Sequence, residues 1–144
     1  AIGAVSLEPF LGPCRVIHAI DCGPLITTDH LAHAALNLPP RVLVRTAKHA
    51  AQHWWTDDFS AYAPQTIEWL AERGVMLIGL DTASIDPASS KTLDSHHTIL
   101  RHDMRVLENL VLDDVPEGDY ELIALPLALV QADASPVRAV LREL

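Results

Sequence analysis

The stretch SHHTILRHDMRVLENL, residues 95–110, changes from helical to extended periodicity and decides how the chain folds back on itself. Residues 92–104 predict a short helix, and the apolar run RVLENLVL at 105–112 is typical of a strand. On one continuous helix His96 and Glu108 would lie about 120° apart and would share no face. If the helix ends before the strand begins, the chain reverses and the glutamate can approach the first turn of the helix.

Short apolar runs predict further strands on both sides of this stretch. The predicted strands span residues 14–20, 41–46, 75–82, 105–112, 120–129 and 135–144, and the predicted helices span residues 27–37, 63–74 and 92–104. This alternation predicts an α/β fold, with a mixed sheet and flanking helices, formed by residues 1–144 as a single domain. The segment 45–61 is aromatic and polar without a clear period, and we interpret it as a surface excursion.

The composition limits the classes of partner. Hydrophobic residues make up 49% of the chain and charged residues 20%, which excludes disorder. The net charge of −9 repels phosphate groups, so neither nucleic acid nor an anionic membrane is expected as a partner. The glycine-rich phosphate-binding motifs are absent, which disfavours a nucleotide. Cys14 and Cys22 form no CxxC pair and no signal segment is present, which predicts reduced thiols and a cytoplasmic location.

Glu108 is the residue that most needs an explanation, because a carboxylate among apolar neighbours requires a cationic partner. One interpretation is a metal ion held by His96 and Glu108 together. A zinc site needs at least three protein ligands, so the others would come from elsewhere. The alternative is an ion pair of Glu108 with Arg101 or Arg105, with His96 and its neighbour His97 as exposed helix caps. On spacing alone, the ion pair is the commoner arrangement.

The other histidines form weaker candidate sites. His30 and His33 could chelate a metal from one helix face, although such a pair more often lies on a solvated face. The remaining interpretations are a structural role for His102, a core position for His18, and a minor chance of metal ligation for His49 and His53 in the irregular segment. Trp54 and Trp55 would cover a pocket, pack on the surface or lie in a subunit interface.

Four segments together resemble the bacterial kynurenine formamidases of the metal-dependent cyclase family, over nearly the whole chain. They are LGPCRVIH (11–18), GVMLIGLDTASIDP (74–87), SKTLDSHHTILRHDMRVLENLVLDDVPEGDYELIALPL (90–127) and DASPVRAVL (133–141). The resemblance implies a swivelling β/β/α fold, a homodimer and a centre of two metals per subunit, usually zinc, with manganese as an alternative. It also implies the hydrolysis of N-formylkynurenine to kynurenine and formate in tryptophan breakdown.

The same resemblance implies roles for individual residues. The family's C-terminal metal ligands are a histidine and a glutamate twelve positions on, and these fall on His96 and Glu108 rather than on His97. The glutamate touches both metals in the family. The metals would activate water for attack on the formyl carbon, and an acid would protonate the leaving arylamine.

The chain also departs from the family pattern. The family's other ligands and its acid/base histidine lie in an N-terminal HxGxHxDxPxH motif, which this sequence lacks. The chain therefore resembles the C-terminal two-thirds of the enzyme, and we expect its own N-terminal segment to complete the centre; this fragment alone is expected to be inactive. Ala83 and Ala128 stand where the family commonly has proline and lysine, which bears on recognition of the kynurenine carboxylate.

The sequence thus predicts a metal-dependent amidohydrolase of the arylformamidase type, with N-formylkynurenine as its small-molecule substrate. Two alternatives remain open. One is a hydrolase of another amide or lactone within the cyclase family, and the other is a non-catalytic dimerisation or binding domain. The enzyme requires a bound metal that depends on His96 and Glu108, whereas a binding domain would tolerate changes at both residues.

Overall fold

A computed structural model describes all residues from 1 to 144. The strands are β1 (Leu11–His18), β2 (Leu25–Ile26), β3 (Arg41–Arg45), β4 (Ala61–Tyr62), β5 (Leu77–Leu80), β6 (Arg105–Leu107), β7 (Gly118–Ile123) and β8 (Val140–Glu143). The helices are α1 (Thr28–Leu31), α2 (Pro64–Ala71) and α3 (Asp94–Arg101), with short 3-10 turns at Ile2–Ala4, Glu8–Phe10 and Ala32–Ala34.

Six strands form the main sheet in the order β6-β5-β3-β1-β7-β8. The first four run parallel to one another, while β7 is antiparallel to both β1 and β8. A second sheet contains only β2 and β4, which pair in parallel. The prediction of an α/β fold with a mixed sheet and flanking helices is confirmed. Because parallel strands point the same way, β1, β3, β5 and β6 present their carboxyl ends along one edge.

The central strands are apolar on both faces because both faces are buried. On one face, Ile17, Val44 and Ile78 pack with Ile67 of α2 and Ile99 of α3. The opposite face carries the alternate residues of the same strands, and these pack with the segments before β1 and after β6. They include Cys14, Val16, Leu43 and Leu77. Continuous burial explains why RVLVR and LIGL show no alternation of polar and apolar residues.

Each predicted strand extends past the observed one, and the last three of them do so by several residues. The run 105–112 is a strand only to Leu107, because Asn109 has a φ of 58° and turns the chain. The run 120–129 is a strand only to Ile123, ahead of Pro126, which has no N–H to donate. The run 135–144 is paired only over Val140–Glu143, because β8 has only the last four residues of β7 as partners.

The predicted helices are also shorter than their patterns. Residues 27–37 form α1 and one 3-10 turn, and Asn37 lies in the left-handed region at a φ of 52°. Residues 63–74 are helical over Pro64–Ala71, and residues 92–104 over Asp94–Arg101. No regular element lies between Arg45 and Ala61, which agrees with the predicted excursion. None of the helices has the length and hydropathy that a bilayer crossing requires.

Arg15 on β1 connects β7 with the segment that follows α1. Its Nε and Nη2 donate to the two carboxylate oxygens of Asp119 on β7, at 2.7 and 2.8 Å. Its Nη1 donates to the carbonyl oxygens of Ala34 and Leu36, at 2.8 and 2.6 Å. The hydrogen bonds from Arg15 hold the pKa of Asp119 below its ordinary value, against the opposing effect of burial.

We expect Asp119→Asn to lower the free energy of unfolding at neutral pH by about 0.5–1 kcal/mol, a modest value because Asp119 is half exposed. A carboxylate with a lowered pKa stabilises the fold above its unfolded pKa, and this contribution is lost as the pH falls through the folded value. The variant should therefore lose less stability than the unsubstituted protein below about pH 4. Urea titrations at several pH values measure this, with Asp114→Asn, an exposed carboxylate outside the ion pairs, as the control. If the free energy of unfolding depends on pH in the same way for Asp119→Asn and for the unsubstituted protein, the lowered pKa of Asp119 is contradicted.

Candidate active site

The first turn of α3 is held by a buried carboxylate that comes from another part of the chain. Asp86 lies after β5 and is only 2% exposed. Its Oδ1 accepts the backbone N–H of Ser95 at 2.9 Å, and its Oδ2 accepts the backbone N–H of His96 at 3.1 Å. The first N–H groups of a helix have no partner within the helix and favour an anion. Asp86 satisfies two of them.

The same carboxylate holds the imidazole ring of His96. Nδ1 of His96 lies 2.6 Å from Oδ2 of Asp86. Burial acts to raise the pKa of Asp86, but hydrogen bonds from the His96 ring and from the backbone of Ser95 and His96 outweigh it and keep the pKa below its ordinary value. Because an ionised carboxylate only accepts hydrogen bonds, Nδ1 carries a proton. In the neutral ring, Nε2 therefore presents a lone pair.

Glu108 lies directly opposite this lone pair. Its Oε1 is 3.6 Å from Nε2 of His96 and accepts the backbone N–H of Ile85 at 3.0 Å. The backbone N–H of Asn109 donates to the carbonyl oxygen of Thr82 at 2.8 Å, which ties the turn after β6 to the end of β5. The reversal of the chain therefore brings His96 and Glu108 together, as the sequence predicted.

Nε2 of His96 and Oε1 of Glu108 both present lone pairs, so neither can donate to the other when the imidazole is neutral. Their separation of 3.6 Å exceeds a normal hydrogen bond. A cation between them, either a proton on the imidazole or a metal ion, would satisfy both groups. The donor set of imidazole nitrogen and carboxylate oxygen suits zinc. In the described chain no group of three or more metal-ligating side chains converges, so the pair needs ligands from elsewhere to make a metal site.

The ion-pair interpretation of Glu108 is wrong, because both candidate arginines are engaged with other carboxylates. Arg101 contacts Glu68 on α2 at 2.5 Å, and Arg105 contacts Asp103 at 2.9 Å.

A cavity of about 960 Å³ opens at the carboxyl ends of β1, β3, β5 and β6. Asn109, the residue after Glu108, lines it together with Thr82 and Ala83, whereas Glu108 and His96 lie beyond its wall. Asp81 fixes this wall by accepting the N–H of Thr46 at 3.0 Å and its hydroxyl at 2.7 Å. The histidine–glutamate pair thus lies beside a large open cavity, next to its lining residue Asn109.

Known proteins are similar to this chain in both sequence and fold. The Cyclase family model matches residues 1–87.

The chain belongs to the cyclase family.

Relatives within the cyclase family cover the whole chain. A kynurenine formamidase of Bordetella petrii is 86% identical over 144 residues, which are 100% of this chain and 69% of that protein. A solved structure described as a potential metal-dependent hydrolase with cyclase activity is 29% identical with a TM-score of 0.84, over 96% of this chain and 68% of that one. An isatin hydrolase bound to the product analogue thioisatinate has a TM-score of 0.71 at 20% identity, over 96% of this chain and 62% of that one, and shares the fold.

The remaining histidines of this cyclase-family chain lie outside the His96–Glu108 pair. His30 completes the N-terminal cap of α1, where its Nδ1 accepts the N–H of Thr27 at 3.0 Å, and His33 contacts Glu117 at 3.0 Å. The ring of His18 is half-buried, and its Nε2 lies 2.9 Å from the carbonyl oxygen of Val115. The side chains of His97 and His102 are exposed, while His49, His53, Trp54 and Trp55 line the cavity.

Asp86 is a residue of the candidate site that the sequence did not indicate. It precedes Pro87 in a loop, ten positions before His96, and no periodicity links the two residues. Its role becomes visible only when the loop folds under the first turn of α3. The sequence gives only an indirect signal. The N-cap of α3 is Leu93, with a φ of 52°, and it is not a serine, threonine, aspartate or asparagine, so the first N–H groups of the helix need a partner from elsewhere in the chain.

We expect Asp86→Asn to lower the free energy of unfolding by about 1–3 kcal/mol, because an amide oxygen cannot accept all the hydrogen bonds that the carboxylate accepts. The amide N–H would also donate to Nδ1 of His96, which moves the ring proton to Nε2. Urea denaturation measures the first effect and nitrogen chemical shifts of the imidazole measure the second, with Asp114→Asn as the control. Unchanged stability together with an unchanged tautomer would refute the role of Asp86.

Proposed function

We propose that the protein hydrolyses N-formylkynurenine to kynurenine and formate as a metal-dependent amidohydrolase. The single observation that carries the proposal is the pairing of His96 with Glu108 in an arrangement that a cation would satisfy, with Asp86 behind the histidine. The identity of 86% to a kynurenine formamidase over the whole chain supports the choice of substrate. The likeness to a protein described as a metal-dependent hydrolase supports the requirement for a metal.

In this proposal His96 and Glu108 hold the metal, which when bound supplies a Lewis acid and lowers the pKa of coordinated water. Asp86 keeps the His96 ring in the tautomer that exposes the Nε2 lone pair, as outer carboxylates commonly do for metal-binding histidines. The N–H of Ile85 holds Oε1 of Glu108 and orients its carboxylate. The neighbouring cavity receives the aryl part of the substrate, which places the formamide beside His96 and Glu108.

The proposal requires at least one further protein ligand and an acid to protonate the leaving arylamine. We assign both to the polypeptide's own N-terminal segment. The chain spans 69% of the Bordetella petrii relative, which leaves room for such a segment. The two ligands described above are then one half of the metal centre.

We further propose that the metals are two zinc ions per subunit, with manganese as a substitute, and that the enzyme is a cytoplasmic homodimer. Nitrogen and oxygen ligands suit zinc. Large apolar side chains are exposed, and a second subunit would cover such surface. They include Leu125, Leu127, Val130 and Leu144. Both cysteines are free thiols, as expected in a reducing compartment.

We expect Glu108→Gln in the full-length enzyme to lower the rate of kynurenine formation by more than about a hundredfold, because a neutral amide is a poor ligand for zinc. The amide oxygen can still accept the N–H of Ile85, so the fold should remain nearly intact. His96→Ala should lose metal and activity together. His97→Ala is the matched control, since His97 is exposed on the same turn and has no role in the site.

Metal content by mass spectrometry and kynurenine formation are measured on the same samples. If Glu108→Gln and His96→Ala retain both stoichiometric metal and full activity, the assignment of the two ligands fails. If the unsubstituted enzyme binds no metal and hydrolyses no formamide or lactone, the chain is a binding or dimerisation domain. If the enzyme hydrolyses another amide or lactone in preference to N-formylkynurenine, the proposed metal-dependent hydrolysis stands and the proposed substrate is wrong.

A further inference from the structure

The cavity carries a paired cation and anion that the hydrolytic chemistry does not use. Nζ of Lys48 lies 3.4 Å from Oδ2 of Asp21, and the two side chains are 73% and 75% exposed. Both residues line the cavity, and Lys48 is its only lysine or arginine. An exposed ion pair of this kind contributes little to stability, so a ligand can replace it at small cost.

Hydrogen bonds from three parts of the chain hold the backbone around Lys48 and Asp21 in place. Arg45 donates from Nε to the carbonyl oxygen of Ala47 at 3.1 Å and from Nη2 to that of Lys48 at 2.9 Å. Two residues further on, the N–H of Ala50 donates to Oδ1 of Asp113 at 2.9 Å. The N–H of Asp21 donates to the carbonyl oxygen of Thr46 at 3.2 Å. A binding site gains affinity when its backbone is ordered before the ligand arrives.

Aromatic side chains line the same cavity. Trp54 and Trp55 are 60% and 71% exposed, and Phe59 also lines the cavity. Nε1 of Trp55 donates to Oδ1 of Asp57 at 2.6 Å, which fixes the indole. Flat, exposed aromatic faces favour the binding of an aryl ring.

The charged pair and the histidine–glutamate pair lie at opposite ends of a continuous row of strand ends. Lys48 follows β3 and Glu108 follows β6, with β5 between them. Two strand spacings amount to about 10 Å. In N-formylkynurenine, the formyl carbon and the α-carbon lie at most about 6–7 Å apart, because the two side groups are ortho on the ring. A substrate with its formamide beside Glu108 can therefore extend its α-amino acid group along the strand ends toward Lys48 and Asp21.

We propose that Lys48 and Asp21 are specificity-determining residues, with Lys48 binding the α-carboxylate and Asp21 the α-ammonium of an aryl formamide that carries an α-amino acid group. This inference rests on the proposed function and deepens it. Ala128 stands where the family commonly has a lysine, and the inference assigns the carboxylate-binding cation to Lys48. Ala128 lies beside Gly3 and away from the cavity. Ala83, the other departure, lines the cavity without adding charge.

The test compares kcat/KM of the full-length enzyme for three substrates. They are N-formylkynurenine, its analogue without the α-amino group, and 2′-formamidoacetophenone, which lacks both charged groups. Lys48→Met should reduce the preference for the desamino analogue over 2′-formamidoacetophenone by about tenfold, the size of one charge-assisted contact. Asp21→Asn should reduce the preference for N-formylkynurenine over the desamino analogue by a similar factor. Lys91→Met, which changes the only other lysine of the chain, is the control and should alter neither ratio.

The outcomes separate this inference from the proposed function. If the unsubstituted enzyme hydrolyses all three substrates and the variants leave both ratios unchanged, the inference is overturned and the proposed function stands. Equal losses on all three substrates would also overturn it, because they indicate a structural role. If the unsubstituted enzyme hydrolyses none of them, the proposed function fails and the inference fails with it.

Discussion

The hydrogen bonds accepted by the buried carboxylate of Asp86 are the interactions on which the proposed active site depends. The carboxylate accepts two backbone N–H groups of α3 and the Nδ1 proton of His96, while it is itself only 2% exposed. A buried anion is costly unless it is fully hydrogen-bonded, and these donors supply that compensation. Asp86 thereby sets the position of α3 and both the orientation and the tautomer of the His96 ring. A metal site gains accuracy when its ligands are fixed in this way.

The parallel part of the sheet places the other half of the site. β5 and β6 end side by side, and Asn109 turns the chain immediately after Glu108, so the glutamate points back toward α3 instead of continuing along a strand. The same strand ends form the floor of the cavity, where Asp81 ties the end of β3 to that of β5. The position of the proposed ligand Glu108 and the position of the cavity therefore both follow from one edge of the sheet.

Much of this could be predicted from the sequence. The strand and helix positions follow from apolar runs, and the approach of His96 to Glu108 follows from the change of periodicity between them. Strand lengths could not be predicted, because they depend on how many residues the neighbouring strand offers and on the left-handed turn at Asn109. The partners of Arg101 and Asp86 could not be predicted either, since both contacts join segments that only the tertiary fold brings together.

The central claim is that His96 and Glu108 bind the same metal. Crystals of the full-length enzyme with zinc, measured at the zinc absorption edge, test this most directly. The account predicts an anomalous peak about 2.0–2.2 Å from both Nε2 of His96 and the carboxylate of Glu108. Full zinc occupancy at a position that contacts neither residue would contradict it.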